Sequence, residues 1–469
     1  MDVASLTIEA ILEGYKSKKF SVNEIVSAYL ERIKQHDKKL NSFITVCEKD
    51  ALGQAKVKDE SLVDGVDLPL LGLPIALKDI FITKGIRTTA ASNVLNNYIP
   101  QYDGTVVKRL KDAGAIILGK LNHDAWAHGS SGENSDFGPA KNPWNKEYTP
   151  GGSSSGSAVA VAASLAPVAT GTDTGGSIRL PASFTNTVGL KPTYGRVSRY
   201  GVISMASSLD SIGHFTKTVT DSALMLNISA GPDGFDATLH KEKPDDYTKN
   251  LKREIRGVKI GIPREYVGDG LQKEVKDQFE KAVKVFEKLG AEIVEISLPN
   301  TEYGIATYYI IQPSEVSSNL ARFDGIRFGN KRMDFGDEAK RRIMLGTFTL
   351  SAGYYDAYYK KALQVRTLIK NDYDKAFEKV DALIAPVSPT LPWKLGEKIA
   401  NPLSMYLSDI LTVSANIAGI PALAVPAGFS QSLPIGIQIM GPHFSEEKLF
   451  QIGYAFEQMT EFYKQIPEI

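Results

Sequence analysis

Residues 151–177 read GGSSSGSAVAVAASLAPVATGTDTGGS, and this run constrains the fold more than any other part of the chain. Two Gly/Ser-rich turns bracket a stretch of Ala and Val. A flexible linker would stay polar on both sides. This segment instead passes straight into AVAVAASLA, whose side chains are too small for an exposed surface helix. The pattern predicts a closely packed helix, then a buried strand, PVATG, then a second turn, TDTGGS, leading into IRLPASF. Two such turns at the ends of buried elements let backbone N–H groups converge on one spot, because glycine admits the φ values a backbone nest requires. An oxyanion and a phosphate suit such a nest equally at this point. The first turn has no lysine in GxxxxGK[ST] spacing, which argues against a phosphate loop.

The flanking sequence predicts an α/β protein. Val22, Ile25, Val26, Tyr29, Leu30 and Ile33 mark a helix, with Ser21 and Glu24 as its capping box. The polar residues 56–68 read as a surface loop. LGLPIALKDIFI reads as one or two strands, Val106 to Ala113 as a helix stopped by Gly114, and AIILG as the next strand. VKIGI, a helix carrying Val275, Phe279, Val283 and Phe286, and AEIVEI repeat that alternation. It implies a mixed sheet covered by helices on both faces. Residues 305–375 read as mainly helical, and ALAVPAGF with LPIGIQIMG as two strands joined by a short turn. With no internal repeat and no linker, the expectation is one domain over 1–469, in which 1–60 is a helical segment packed on the core.

Composition removes several function classes. Lys+Arg and Asp+Glu both number 54, so the chain lacks the basic footprint of a nucleic-acid binder. A single cysteine, Cys47, excludes internal disulfides and Cys-rich zinc sites. The first residues carry no basic n-region, and no apolar run reaches the roughly 18 residues of a membrane helix. The expectation is a soluble cytoplasmic protein.

The candidate chemistry lies in serines and one lysine. The only SxxK, Ser445 to Lys448, sits at a helix start beside acids and reads as a capped surface helix. His123 and His128 belong to no metal-like cluster. A serine nucleophile without a histidine needs another base, and Lys78 in Leu73-Pro-Ile-Ala-Leu-Lys-Asp-Ile80 has almost wholly apolar neighbours. Burial there would strip its hydration and favour the neutral amine. The competing reading is a solvent-facing lysine beside Asp79.

GGSSSGS, GTDTGGSIRLPA and the upstream GLPIALKD together resemble the amidase signature family. The resemblance implies a Ser–cis-Ser–Lys triad: Ser177 as nucleophile, Ser153 as bridging serine behind a cis peptide, and Lys78 as base. It implies an oxyanion hole from the backbone of Thr174, Gly175, Gly176 and Ser177. Within the family, 129–145, 207–223, 341–362 and 402–422 look like the glutaminase subunits of tRNA-dependent amidotransferases. That likeness implies Arg342 and Asp409 as grips for the carboxylate and ammonium of free glutamine. It adds Ser130 and a tyrosine of the YYII segment, Tyr308 ahead of Tyr309, as pocket residues. It implies no cofactor in this chain, ATP and Mg on a partner B subunit that receives the ammonia and most of the charged tRNA, and a small C subunit. The alternative readings are a stand-alone amidase for small or acyl amides and a non-catalytic scaffold. Between Gly329 and Arg341 only NKRMDFGDEAK remains where such subunits usually carry a longer helical insertion.

Overall fold

A mixed sheet of eleven strands forms the centre of the computed structural model, which describes residues 1–469 except 243, 245 and 328. The strands are β1 (Phe43–Val46), β2 (Pro74–Lys78), β3 (Ile116–Leu121), β4 (Val168–Asp173), β5 (Val188–Lys191), β6 (Ser211–Thr216), β7 (Lys259–Pro263), β8 (Glu292–Ile296), β9 (Ala382–Pro386), β10 (Ala422–Ser430) and β11 (Leu433–Met440). Their spatial order is β1-β3-β2-β4-β6-β5-β10-β11-β9-β7-β8. The middle, from β4 to β9, is antiparallel, while β3-β2-β4 and β9-β7-β8 are parallel wings. Every residue of β2, β3, β4, β5 and β6 is buried. Burial along every position is the pattern of a sheet covered on both faces, and β4 and β6 bury polar side chains as well, among them Thr170, Thr172, Asp173 and His214.

Fourteen α-helices surround the sheet among the described residues: α1 (Ile8–Lys16), α2 (Val22–Leu40), α3 (Glu48–Val63), α4 (Thr105–Asp112), α5 (Ser155–Ala162), α6 (Arg179–Thr185), α7 (Val219–Ser229), α8 (Lys273–Lys288), α9 (Gly304–Asn319), α10 (Asp337–Thr349), α11 (Lys361–Phe377), α12 (Pro402–Tyr406), α13 (Val413–Ala418) and α14 (Glu446–Thr460). The Ser21–Glu24 capping box forms in both directions. Asp221 of α7 accepts from the free N–H groups of Ile8 and Glu9, which ties the first helix to the body.

Two local expectations fail. Residues 56–63 are the last two turns of α3 and not a loop. That helix buries only Ala51 and Ala55, so its apolar stripe is too thin to show in the periodicity, and Gly65 ends it with φ of +75°. Ser445 stands at the N-terminus of α14 without capping it, since its hydroxyl donates to Pro442 O. That helix is no surface element either, for Leu449, Phe450, Ile452 and Phe456 are fully buried. The short segment before α10 docks on the body. Asn330 donates to Val94 O at 2.6 Å, and Phe335 packs on Trp126 with ring centroids 5.2 Å apart.

Candidate active site

The Gly/Ser run folds as its pattern predicts. Helix α5 has seven of its eight residues buried, and β4 carries the chain to the second turn at 174–177. The peptide between Gly152 and Ser153 is cis. The Ser154 amide donates to Ser177 O at 3.2 Å, so the two turns lie side by side.

Lys78 ends β2 beneath them. It is fully buried, and its Nζ lies 2.9 Å from Ser153 Oγ, 2.9 Å from Ser154 Oγ and 2.8 Å from Thr172 Oγ1. The solvent-facing alternative is excluded. Asp79 pairs with Lys120 at 3.1 Å instead, both side chains fully buried. Burial pushes the Lys78 amine down from 10.5 to about 7, and the more distant Asp124, Asp210 and Asp173 offset only part of that shift. A lysine that is about half neutral at pH 7, hydrogen-bonded to a serine, is a base able to accept a hydroxyl proton. Ser177 retains 8% exposure while Ser153 has none, so Ser177 is the serine a substrate can reach.

The second turn is held by Asp173. Its carboxylate accepts from the amides of Gly176 (2.8 Å) and Ile178 (3.1 Å), from Arg179 Nε (3.1 Å) and from Asn416 Nδ2 (2.9 Å). Burial works to raise the Asp173 pKa, but Arg179 overrides it and the carboxyl stays ionised. The four amides of the expected oxyanion hole differ in their partners. The Gly176 N–H is committed to Asp173, and only the amides of Thr174, Gly175 and Ser177 make no hydrogen bond among the described residues. Gly176 sits at φ of +130°, and a Cβ there would strike Thr412 Oγ1 at 2.3 Å. A Cβ on Gly175 would meet the phenol oxygen of Tyr308 at 2.8 Å, so Tyr308 lies directly against the turn.

Asp409 and Ser130 meet across 279 residues of sequence. Ser130 Oγ lies 2.8 Å from both carboxylate oxygens, and Tyr309 OH donates to Oδ2 at 3.1 Å. Burial raises the Asp409 pKa to about 6. Tyr309 also stacks on Tyr406 at 3.9 Å, and the buried Arg342 guanidinium lies 5.3 Å from the Tyr309 ring centre. Arg342 Nε donates to Glu338 Oε1 at 2.7 Å, and Nη1 to Gln312 Oε1 at 2.8 Å. A cleft of about 360 Å³ adjoins it, lined in part by Ser131, Asn134, Glu338, Arg342, Lys398 and Tyr406. A larger cavity of about 1040 Å³, beside Tyr98, Tyr102, Arg199 and Arg322, contains none of the candidate side chains. No group of three or more His, Cys, Asp or Glu side chains among the described residues could hold a metal ion.

The expected residues fall in two adjoining places, although Ser177 joins the first through its carbonyl, which accepts from the Ser154 amide, and its Oγ makes no hydrogen bond among the described residues. Lys78, Ser153 and Ser177 lie at the turns, with Tyr308 against them. Ser130, Asp409 and Arg342 lie beside Tyr309. Sequence reasoning missed Tyr309 as the tyrosine on Asp409, along with Thr172, Gln312, Glu338 and Thr412. It also missed Ser154, the centre of Gly152-Ser-Ser-Ser-Gly156, which fits the G-x-S-x-G elbow pattern. Ser154 is fully buried and bonds Lys78. Apart from that pattern, none of these residues carries a local signal.

The family profile for amidases matches residues 24–450. The chain is 52% identical to the A subunit of glutamyl-tRNA(Gln) amidotransferase from Caldanaerobacter subterraneus subsp. tengcongensis, covering 98% of both chains. The crystal structure of the corresponding A subunit of glutamyl-tRNA(Gln) amidotransferase from Thermotoga maritima superposes with a TM-score of 0.84 at 43% identity, over 98% of this chain and 95% of that one. A bacterial aryl acylamidase of the amidase signature enzymes superposes with a TM-score of 0.89 at 28% identity, over 99% of both chains. An amidotransferase subunit and an aryl acylamidase thus share the fold, which selects a chemistry but not a substrate. The chain belongs to the amidase signature family.

Proposed function

We propose that this chain is the glutamine-hydrolysing subunit of a glutamyl-tRNA(Gln) amidotransferase, and that residues 1–469 form one domain with 1–60 packed on its core. The observation that carries the reading is the pairing of two environments. A neutralised lysine in contact with a serine adjoins a buried Arg342 and a buried Asp409 that share Tyr309. Free glutamine has one negative and one positive group at its α carbon. Arg342 takes the carboxylate, and Asp409 with Tyr309 and Ser130 takes the ammonium. A simple amide brings neither charge, so it forgoes the contact with Arg342 and leaves the buried Asp409 without a cation, and it is rejected for that reason.

Ser177 Oγ attacks the side-chain amide carbon and passes its proton to Ser153, which passes its own to neutral Lys78. Negative charge on the carbonyl oxygen is met by the free amides of the 174–177 turn. One such donor is typically worth about 3–4 kcal/mol of barrier. Ser153 then protonates the leaving nitrogen and draws its replacement proton from Lys78. The C–N bond breaks, ammonia departs and a glutamyl ester remains on Ser177. Water enters by the same route, cleaves the ester and frees glutamate.

The ammonia is used elsewhere. Glutamate on tRNA(Gln), or aspartate on tRNA(Asn), is activated with ATP and Mg on a B subunit. A small C subunit braces the pair, and the complex works in the cytoplasm. In this chain no helix among the described residues is long and apolar enough to cross a membrane. The test is co-purification of the full chain with its partners, followed by glutamine hydrolysis and amidation of charged tRNA. A chain that turns over neutral aliphatic amides alone, and is indifferent to Arg342→Ala, is a stand-alone amidase instead.

A further inference from the structure

Arg342 is held from three sides. Glu338, one turn earlier on α10, takes Nε, Gln312 on α9 takes Nη1, and Tyr309 and Tyr406 lie under the guanidinium at 5.3 and 5.6 Å. Its Nη2 makes no hydrogen bond among the described residues. Gln312 is fully buried, and its oxygen is used while its amide nitrogen has no partner. His128 is also fully buried, with neither ring nitrogen partnered. It stays uncharged because of burial and of the Arg342 charge close by. A buried amide N–H without an acceptor typically loses about 1–3 kcal/mol, so it persists where something supplies the acceptor. The unsatisfied donors here stand around one cation, and together they suit a carboxylate.

We propose that Gln312 is a positioning residue for substrate recognition: its side-chain oxygen turns Arg342 so that Nη2 meets the substrate carboxylate, and its unpaired amide gives that carboxylate a second donor. The inference rests on the glutamine reading of the pocket. It goes further by assigning the carboxylate's orientation to a neutral side chain on a different helix. Glu338 alone cannot fix that orientation, since a single bond at Nε leaves the guanidinium free to turn about it.

The experiment measures binding to the full chain by calorimetry, in a Ser177→Ala background so that nothing is consumed. The two ligands are glutamine and 4-aminobutyramide, which keeps the amide and the amine and lacks the α-carboxylate. Gln312→Leu has nearly the same volume and no amide. It is expected to weaken glutamine about tenfold and leave 4-aminobutyramide within about twofold. Gln312→Glu keeps an acceptor for Arg342 and adds a competing negative charge, so it is expected to weaken glutamine more than Gln312→Leu does. Glutamine affinity unchanged in Gln312→Leu, or both ligands weakened alike in a variant whose melting temperature is intact, would overturn the inference. If Gln312→Leu does not fold, Gln312→Glu decides: glutamine bound as tightly as by the parent overturns the inference. A parent chain that binds neither ligand overturns the glutamine reading itself, and this inference with it.

Discussion

Lys78 and Arg342 are both cationic side chains removed from water, yet they end in opposite states. Lys78 touches three hydroxyls and no carboxylate, because the nearby acids are engaged elsewhere, Asp79 with Lys120 and Asp173 with Arg179. Burial therefore wins and the amine falls to about 7. Burial also works to lower Arg342, but Glu338 stands 2.7 Å away and the guanidinium stays a fixed cation. What the protein places beside a buried charge decides whether that charge becomes a base or an anchor. On the proposed reading, the first region does chemistry with a group that loses its proton and the second does recognition with a group that keeps it.

The largest effect should come from breaking the first region. Lys78→Met or Ser177→Ala is expected to lower kcat for glutamine by about 10⁴-fold or more, as removing a member of a coupled catalytic unit does. The stability effect has the opposite sign. The Lys78 pKa is about 7 in the folded chain against 10.5 in the unfolded one, so between those values the unfolded chain binds the extra proton and stability rises with pH. Below pH 7 the penalty of the buried charge is present in full. Lys78→Met should therefore raise the melting temperature, more at pH 6 than at pH 10. A variant that is inactive and also less stable at both pH values would mean the lysine is not opposed by burial.

Breaking the second region should leave the chemistry intact. Arg342→Ala is expected to reduce kcat/KM for glutamine about 10²–10³-fold, mainly through KM, because it strands Glu338 and the substrate carboxylate without their cation. The low residual turnover of a neutral aliphatic amide, measured in the same preparation, should not fall, whereas glutamine turnover does. Equal losses on both substrates would erase the distinction between the regions.

The regions differ in how far the sequence exposes them. The catalytic turns are contiguous and their chemistry forces glycine, serine and small apolar residues, so 151–177 is readable directly. Lys78 is readable as a candidate, because its neighbours in the short strand are almost wholly apolar, but only the folded chain excludes the solvent-facing alternative beside Asp79. Arg342 and Asp409 are not readable this way. Glu338 and Arg342 at i, i+4 look like any solvated helix pair, and Ser130 and Asp409 meet only through the fold. The amidase resemblance names them, while Tyr309 and Gln312 emerge only in the folded chain. The strand alternation is likewise visible in the sequence, but the insertion of β6 between β4 and β5 is not. That order depends on pairing distant segments, which no local pattern encodes.

The pH profile separates the two regions without destroying either. Lys78 must be neutral, so kcat/KM falls as pH drops through about 7. Asp409 must be ionised to pair with the ammonium, and its pKa raised by burial means a second loss through about 6. The acid limb is expected to steepen from one proton to two below pH 6. Asp409→Asn should lower kcat/KM and leave a limb of unit slope governed by Lys78 alone. A slope of two that survives the substitution would assign the second proton to another buried carboxyl, Asp210 at about 6 or Asp124 at about 7.

The smallest effect concerns the joint between the regions. Thr412 Oγ1 lies 2.6 Å from Gly175 O in the catalytic turn and 3.0 Å from Asp409 O in the recognition segment, while its own carbonyl accepts from Arg179. This hydroxyl thus links the turn at 174–177 to the segment that carries Asp409, alongside the Thr412 amide on Asp409 O and Arg179 on Thr412 O. Thr412→Val keeps the shape and removes the hydroxyl, and should lower kcat several-fold at a stability loss of about 1 kcal/mol. If the regions were independent, its effect would add to that of Asp409→Asn. Residues in one hydrogen-bonded network instead show coupling of about 0.5–3 kcal/mol. A double-mutant cycle on kcat/KM for Thr412→Val and Asp409→Asn should give a coupling at the lower end of that range, because the contact runs through main-chain atoms and leaves the Asp409 carboxylate untouched. Strict additivity would show that substrate is aligned by the rigid sheet alone, and that Thr412 serves packing.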